Sequence, residues 1–233
     1  MKKQIPLGLS LDDDATFSNF YGGDNLVAVA TLETVATKES SEQFIYIYGN
    51  EGVGRSHLLQ ACCHATDAKK FRCFYLPLEE YAQLNTEILE GLETLDLVCI
   101  DNIDAIFGRV DWEEALLHFY NKARDHYCRL IVVGQDVPAQ SKRCQLNDLR
   151  SRLSWGPVFH IKPLQDLQKV LALQMRAANR GLRLPLEVGK YLLTHFPRNM
   201  AKLFAALELL DKASLVEKRK LTIPFVKKVL SRQ

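Results

Sequence analysis

The residues with the most chemical meaning are Gly49-Asn50-Glu51-Gly52-Val53-Gly54-Arg55-Ser56. Gly49 and Gly54 frame four residues, and a basic and a hydroxyl side chain follow. Glycines at this spacing let backbone N–H groups turn inward around phosphate oxygens, and a helix starting just beyond adds the positive end of its dipole. Ser56 offers a hydroxyl to a magnesium ion at those phosphates. The candidate nucleotide-binding residues are therefore Gly49, Gly52, Val53, Gly54, Arg55, Ser56 and the adjacent His57. Arg55 stands where this motif ordinarily has lysine. A planar guanidinium is wider than an ammonium, so the swap is compatible with binding but unfavourable to hydrolysis.

A phosphate loop needs an acidic partner at the end of another strand to hold the metal. Asp101, closing Leu97-Val98-Cys99-Ile100, supplies it, and Ser56 with Asp101 forms the candidate magnesium set. A hydrolysing enzyme of this class would follow with a second carboxylate to orient the attacking water. Asn102 takes that place, and an amide is no general base. Asp104 lies nearby in the wrong register. The expectation is a protein that binds nucleotide and hydrolyses it poorly, with a nucleoside diphosphate such as ADP as resident ligand.

The elements that position these residues alternate. Strand-like runs occupy 44–48, 72–78, 95–101, 129–134 and 158–161, with helical character over 57–65 and 112–126. Strand–helix alternation implies right-handed βαβ units and a mostly parallel five-stranded sheet. After Leu164 the rhythm turns wholly helical: 166–180 stopped by Gly181, then 185–195, 199–216 and 223–230. The organisation expected is a flexible, extended tail at 1–16, an α/β nucleotide-binding domain at 17–163 and a small all-helical lid at 164–233.

Net charge is only +2, from 30 basic and 28 acidic residues, which argues against a dedicated DNA reader. The basic run Lys218-Arg219-Lys220 reads as a solvated helix end. Six cysteines without a C-x-x-C pair give no zinc or dithiol site and suit a reducing cytoplasm. Adjacent Cys62 and Cys63 are not expected both to face a core. Trp112 and Trp155 read as packing anchors, and His57 as a helix-surface residue. The N-terminus lacks the apolar core of a signal peptide, and no stretch approaches the roughly 20 apolar residues of a membrane span.

Over residues 15–230 the chain resembles the AAA+ replication-initiator proteins of bacteria, the DnaA/Hda family. Thr16-Phe17-Ser18-Asn19-Phe20 with Gly23-Asp24-Asn25 is similar to the family's nucleotide-proximal box, Gly54 to Leu59 to its phosphate loop and Ile100 to Ile103 to its acidic strand. Leu149-Arg150-Ser151-Arg152-Leu153-Ser154-Trp155-Gly156 resembles its arginine-finger box, with the finger at Arg152. The resemblance implies an AAA+ P-loop fold with a helical lid. The chain ends where an initiator would continue into a helix-turn-helix domain, so the likeness is to regulatory members that inactivate the initiator DnaA. It implies the trans finger Arg152, DnaA as partner, little ATPase activity of its own, and DNA contact mainly through a clamp. Homo-oligomerisation is compatible with an AAA+ module.

Gln4-Ile5-Pro6-Leu7-Gly8-Leu9 is similar to the short peptide that docks on the sliding clamp (β) of DNA polymerase III, with Gln4, Ile5, Leu7 and Leu9 as contacts. Two sensor positions depart from the family. Ala201 stands at the lid arginine, with Lys202 and Arg198 nearby, and Gln135-Asp136 stands at the polar sensor. The rival readings are an autonomous ATPase, disfavoured by Arg55 and Asn102, a helicase-loader-like module and a non-catalytic DNA adaptor.

Overall fold

The computed structural model describes residues 11–230, the side chains of 81–83 excepted. The clamp-peptide residues Gln4, Ile5, Leu7 and Leu9 lie outside the described residues. The described residues divide into two compact units, 11–17, 27–49 and 54–161 in one, and 18–26, 50–53 and 162–230 in the other.

The first unit is built on five parallel strands in the order β2-β3-β4-β1-β5. These are β1 (Phe44–Tyr48), β2 (Cys73–Pro77), β3 (Leu97–Asp101), β4 (Arg129–Gly134) and β5 (Val158–His160). The central strands β3, β4 and β1 are buried almost throughout, which is why they read as unbroken apolar runs rather than alternating ones. The edge strands β2 and β5 are half-exposed. The α-helices before the lid are α1 (Leu26–Ala36), α2 (Arg55–Ala68), α3 (Val110–Asp125) and α4 (Asn147–Leu153), with short 3-10 turns between elements. Trp112 anchors α3 in a core with Phe119, Tyr120, Val98, Ile100 and Leu130.

Two expectations fail here. Cys62 and Cys63 are both fully buried, because α2 is covered on more than one side. The Cys62 thiol faces the Leu32 carbonyl of α1, while the Cys63 carbonyl accepts from Cys73 on β2. Burial raises the Cys62 thiol pKa well above its usual value and pushes Cys99 up to about 11, so both behave as small apolar groups. The described part of the 1–16 tail is also not a free lead. Asp12 N–H donates to Gln60 Oε1 at 2.8 Å, His64 Nε2 meets Asp12 O at 3.0 Å, and Ala15 is buried.

The lid helices are α5 (Asp166–Asn179), α6 (Leu186–His195), α7 (Met200–Glu217) and α8 (Ile223–Leu230). Leu173, Leu192, Leu203, Leu207, Leu210 and Val226 form their core. Gly181 ends α5 with φ +72°, a left-handed value that glycine reaches without strain. Asn199 caps α7, its Oδ1 accepting from Ala201 and Lys202 N–H. Gly23-Asp24-Asn25 belongs to this unit. Asn25 exchanges two bonds with the Lys162 backbone at 3.0 and 2.8 Å, and Asp24 accepts from Gln168 at 3.1 Å. Among the described residues no helix is long and apolar enough to cross a membrane.

Candidate functional site

The phosphate loop runs from the end of β1 to the start of α2. Gly52 and Gly54 have φ +79° and +97°, left-handed values that a side chain would strain. No side chain caps α2 at Gly54, so the first N–H groups of that helix face the loop. Val53 and Gly54 are half-buried, and Ser56 is exposed at the first turn. Gly52 lies against the Asn199 amide of its own unit, where an added Cβ would come within 3.0 Å.

Arg55 does not extend freely from this loop. Its guanidinium donates to the Gly134 carbonyl at the end of β4. Gly134 has no room for a side chain because Tyr46 Oη occupies the space a Cβ would need. Tyr46 Oη donates to Asp136 O at 3.1 Å, and burial followed by the Asp104 charge raises its pKa. Asp104, read as out of register, accepts the Gln135 N–H at 2.6 Å and so fixes the backbone at the sensor position. Burial raises the pKa of that carboxyl. Sequence reasoning missed this role, since nothing local links residues 104 and 135.

Asp101 ends β3 buried, and Tyr75 Oη donates to its Oδ2 at 2.6 Å. Burial and the Asp101 carboxylate together raise the Tyr75 pKa, which keeps that phenol a donor. Asn102 follows in a left-handed conformation at φ +56°, which asparagine tolerates better than most residues. Its amide donates to Glu79 Oε1 at 2.8 Å. His57, also named for the nucleotide, has its Nε2 at 2.9 Å from Thr16 O. Arg198, a candidate lid sensor, pairs with Asp166 at 3.3 Å, while Lys202 is exposed.

Arg152 belongs to a separate feature. α4 buries Leu149 and Leu153 at i,i+4 spacing, which turns Arg150 and Arg152 away from the core. The Arg152 Cζ sits 3.8 Å from the centroid of the Trp155 indole. Its Nε has no hydrogen-bond partner, and no carboxylate pairs with the group among the described residues. Trp155 leans edge-on against Phe44 at 6.5 Å, which ties this platform to β1. Gly156 follows because its Cα packs on the Phe44 backbone, where a Cβ would overlap the carbonyl. Gly156→Ala is expected to destabilise the protein by about 3 kcal/mol through this overlap, read by denaturant unfolding. Unchanged stability would contradict the packing.

Glu113 was also missed. It is fully buried on α3 and accepts N–H bonds from Gly108 at 2.7 Å, Gln145 at 2.8 Å and Leu146 at 2.8 Å. The last two lead into α4, so this carboxylate holds the start of the arginine-bearing helix in place.

The family model described as the bacterial DnaA ATPase domain matches residues 11–160, and that described as Hda, lid domain, matches 166–230. Domain III of the Thermotoga maritima replication initiation protein DnaA superposes with a TM-score of 0.78 at 21% identity, covering 96% of this chain and 98% of that one. AMPPCP-bound DnaA from Aquifex aeolicus gives 0.73 at 22%, covering 86% of this chain and 66% of its own length. A RuvB variant from Thermotoga maritima gives 0.65 at 13%, covering 93% and 73%. At these identities the structural likeness is one of fold, a nucleotide-binding AAA+ core with a helical lid. The family models reach further: this chain belongs to the DnaA-related AAA+ family, with an ATPase domain of DnaA type and a lid of Hda type.

Proposed function

We propose that this chain is a negative regulator of replication initiation that docks on the sliding clamp and uses Arg152 to promote hydrolysis of ATP held by a DnaA-type initiator. The observation that carries the reading is the Arg152 side chain, stacked on Trp155 and without an acidic partner among the described residues. Stacking fixes the plane of the guanidinium, whose Nε is buried and unpaired, so the terminal Nη groups are the ones left to act on a partner. Such a group stabilises charge developing on a transferred phosphoryl of another molecule. The initiator is left in its inactive ADP form.

In this reading the chain is an activator rather than an ATPase. Arg55 is engaged with Gly134, and Asn102 offers no base. The loop suits a resident nucleoside diphosphate, ADP in this proposal. The left-handed glycines and the uncapped start of α2 would hold its phosphates. Ser56 and Asp101 would hold magnesium, an ion that takes few protein oxygens and keeps water and phosphate ligands. Bound there, the nucleotide supplies a structural anchor for the loop.

Two measurements test this pair of statements. The chain alone, with magnesium and ATP, is expected to show no steady-state turnover above buffer; robust turnover lost in Arg55→Ala would overturn the activator reading. Deleting residues 4–9 is expected to abolish co-elution with the clamp while leaving nucleotide binding intact. Undiminished co-elution would remove the docking role from Gln4, Ile5, Leu7 and Leu9.

A further inference from the structure

The formal charge of +2 conceals a division along the chain. Residues 164–233 hold 14 Lys and Arg against 5 Asp and Glu, a net +9, while residues 1–163 hold 16 against 23, a net −7. Within the lid the excess converges on one corner. α7 ends at Glu217, and Lys218 turns the chain in a left-handed conformation at φ +50°. The connection then delivers Arg219 and Lys220 beside α8, whose last turn carries Lys227 and Lys228. All five cations are exposed.

Arg219, Lys220, Thr222, Pro224, Phe225 and Lys228 line an open cavity of about 450 Å³. Its rim is locked rather than frayed: Ser214 Oγ donates to Arg219 O at 2.6 Å, and Arg219 N–H donates to Ser214 O at 3.2 Å. Glu217 is the carboxylate among these residues, and it is engaged by Lys228 at 2.8 and 2.9 Å. Lys218, Arg219 and Lys220 have no ion-pair partner among the described residues. Lys227 stands 5.6 Å from the Tyr191 ring. Clustered like charges repel one another unless an anion neutralises them.

We propose that this corner of the lid binds the sugar–phosphate backbone of duplex DNA. The chemistry is that of a phosphate contact: exposed Lys and Arg beside the Thr222 hydroxyl. A duplex offers one negative charge per about 1.7 Å of axis, which matches several cations held on one rim. The apolar lining, Pro224 and the buried Phe225, is too small for the apolar centre of a protein interface. Exposed Leu215 and Val216 lie outside the cavity lining. The inference deepens the proposed function, since a regulator acting at a clamp threaded on DNA has duplex within reach.

The test is binding of the full chain to a labelled duplex of about 20 base pairs, by fluorescence anisotropy from about 50 to 200 mM salt. Each phosphate contact contributes about 0.9 to the slope of log affinity against log salt. Arg219→Gln, Lys220→Gln and Lys227→Gln together should flatten the slope by about 2 to 3 and weaken binding at low salt at least about tenfold. Lys218 and Lys228 are left in place because one sits in the left-handed turn and the other holds Glu217. A thermal melt of the triple variant confirms its fold. Unchanged slope and affinity would overturn the proposal, as would tighter binding of the parent protein to a polyglutamate peptide than to the duplex. Neither clamp nor initiator is present, so this outcome is independent of whether Arg152 stimulates hydrolysis.

Discussion

Arg152→Ala is expected to lower stimulated hydrolysis of initiator-bound ATP by about 10³-fold or more, the range of arginine fingers supplied in trans. The effect is large because the guanidinium acts where charge develops in the transition state, and nothing near it can substitute. Arg150 on the same helix is bonded to Asn147, and Arg124 is 5.6 Å from the Trp155 ring rather than stacked at Arg152's distance. Arg152→Lys should recover little, since an ammonium neither stacks as a plane nor donates as a fork. Trp155→Ala should have a smaller effect than Arg152→Ala, since it frees the group without deleting it. Single-turnover hydrolysis measures all three, with clamp and nucleotide binding expected to stay at parental levels. Retained stimulation by Arg152→Ala would refute the role.

Glu113→Ala is expected to cost about 3 to 5 kcal/mol, the largest single-residue stability loss foreseen for the α/β unit. Three backbone donors, at Gly108, Gln145 and Leu146, lose the fully buried Glu113 carboxylate as their acceptor. For a domain of this size that corresponds to a fall of roughly 10 °C in melting temperature. Glu113→Gln keeps one carbonyl oxygen but turns the other acceptor into a donor, so about half the loss is expected. Because Gln145 and Leu146 lead into α4, stimulation should also fall in Glu113→Gln at temperatures where that variant remains folded. Calorimetry checks the first statement. A loss below about 1 kcal/mol for Glu113→Ala would show that water or a neighbour replaces the carboxylate.

Most of the architecture was legible because its signals are local. The central strands are unbroken apolar runs, Gly181 marks the end of α5, and Gly49 to Ser56 stands between a strand and a helix. Two helices left no such mark. Leu26-Val27-Ala28-Val29-Ala30 opens α1 with apolar residues all round, two of them exposed at 66% and 74%, so no polar face reveals a period. α4 is only seven residues long, with Leu149 and Leu153 as its whole apolar stripe. At the site, the phosphate loop and Asp101 could be named from residue type and spacing, and Arg152 only through the family resemblance. Their supports could not. Asp104 reaches Gln135 across 31 positions and Glu113 reaches Gln145 across 32, contacts that only the folded chain creates. Arg55 had a type-based prediction, weakened hydrolysis, but its bond to Gly134 depends on how β4 lies beside β1. Cys62 and Cys63 misled for the same reason, since a helix covered on more than one side can bury neighbours in sequence.

The most direct test of the account is one measurement on the parent protein. A DnaA-type initiator is loaded with ATP, mixed with this chain and a clamp on DNA, and the bound nucleotide is followed over a single turnover. The account predicts rapid conversion to ADP that requires the chain, the DNA-loaded clamp and residues 4–9 together. Hydrolysis at the same rate with and without the chain would contradict it.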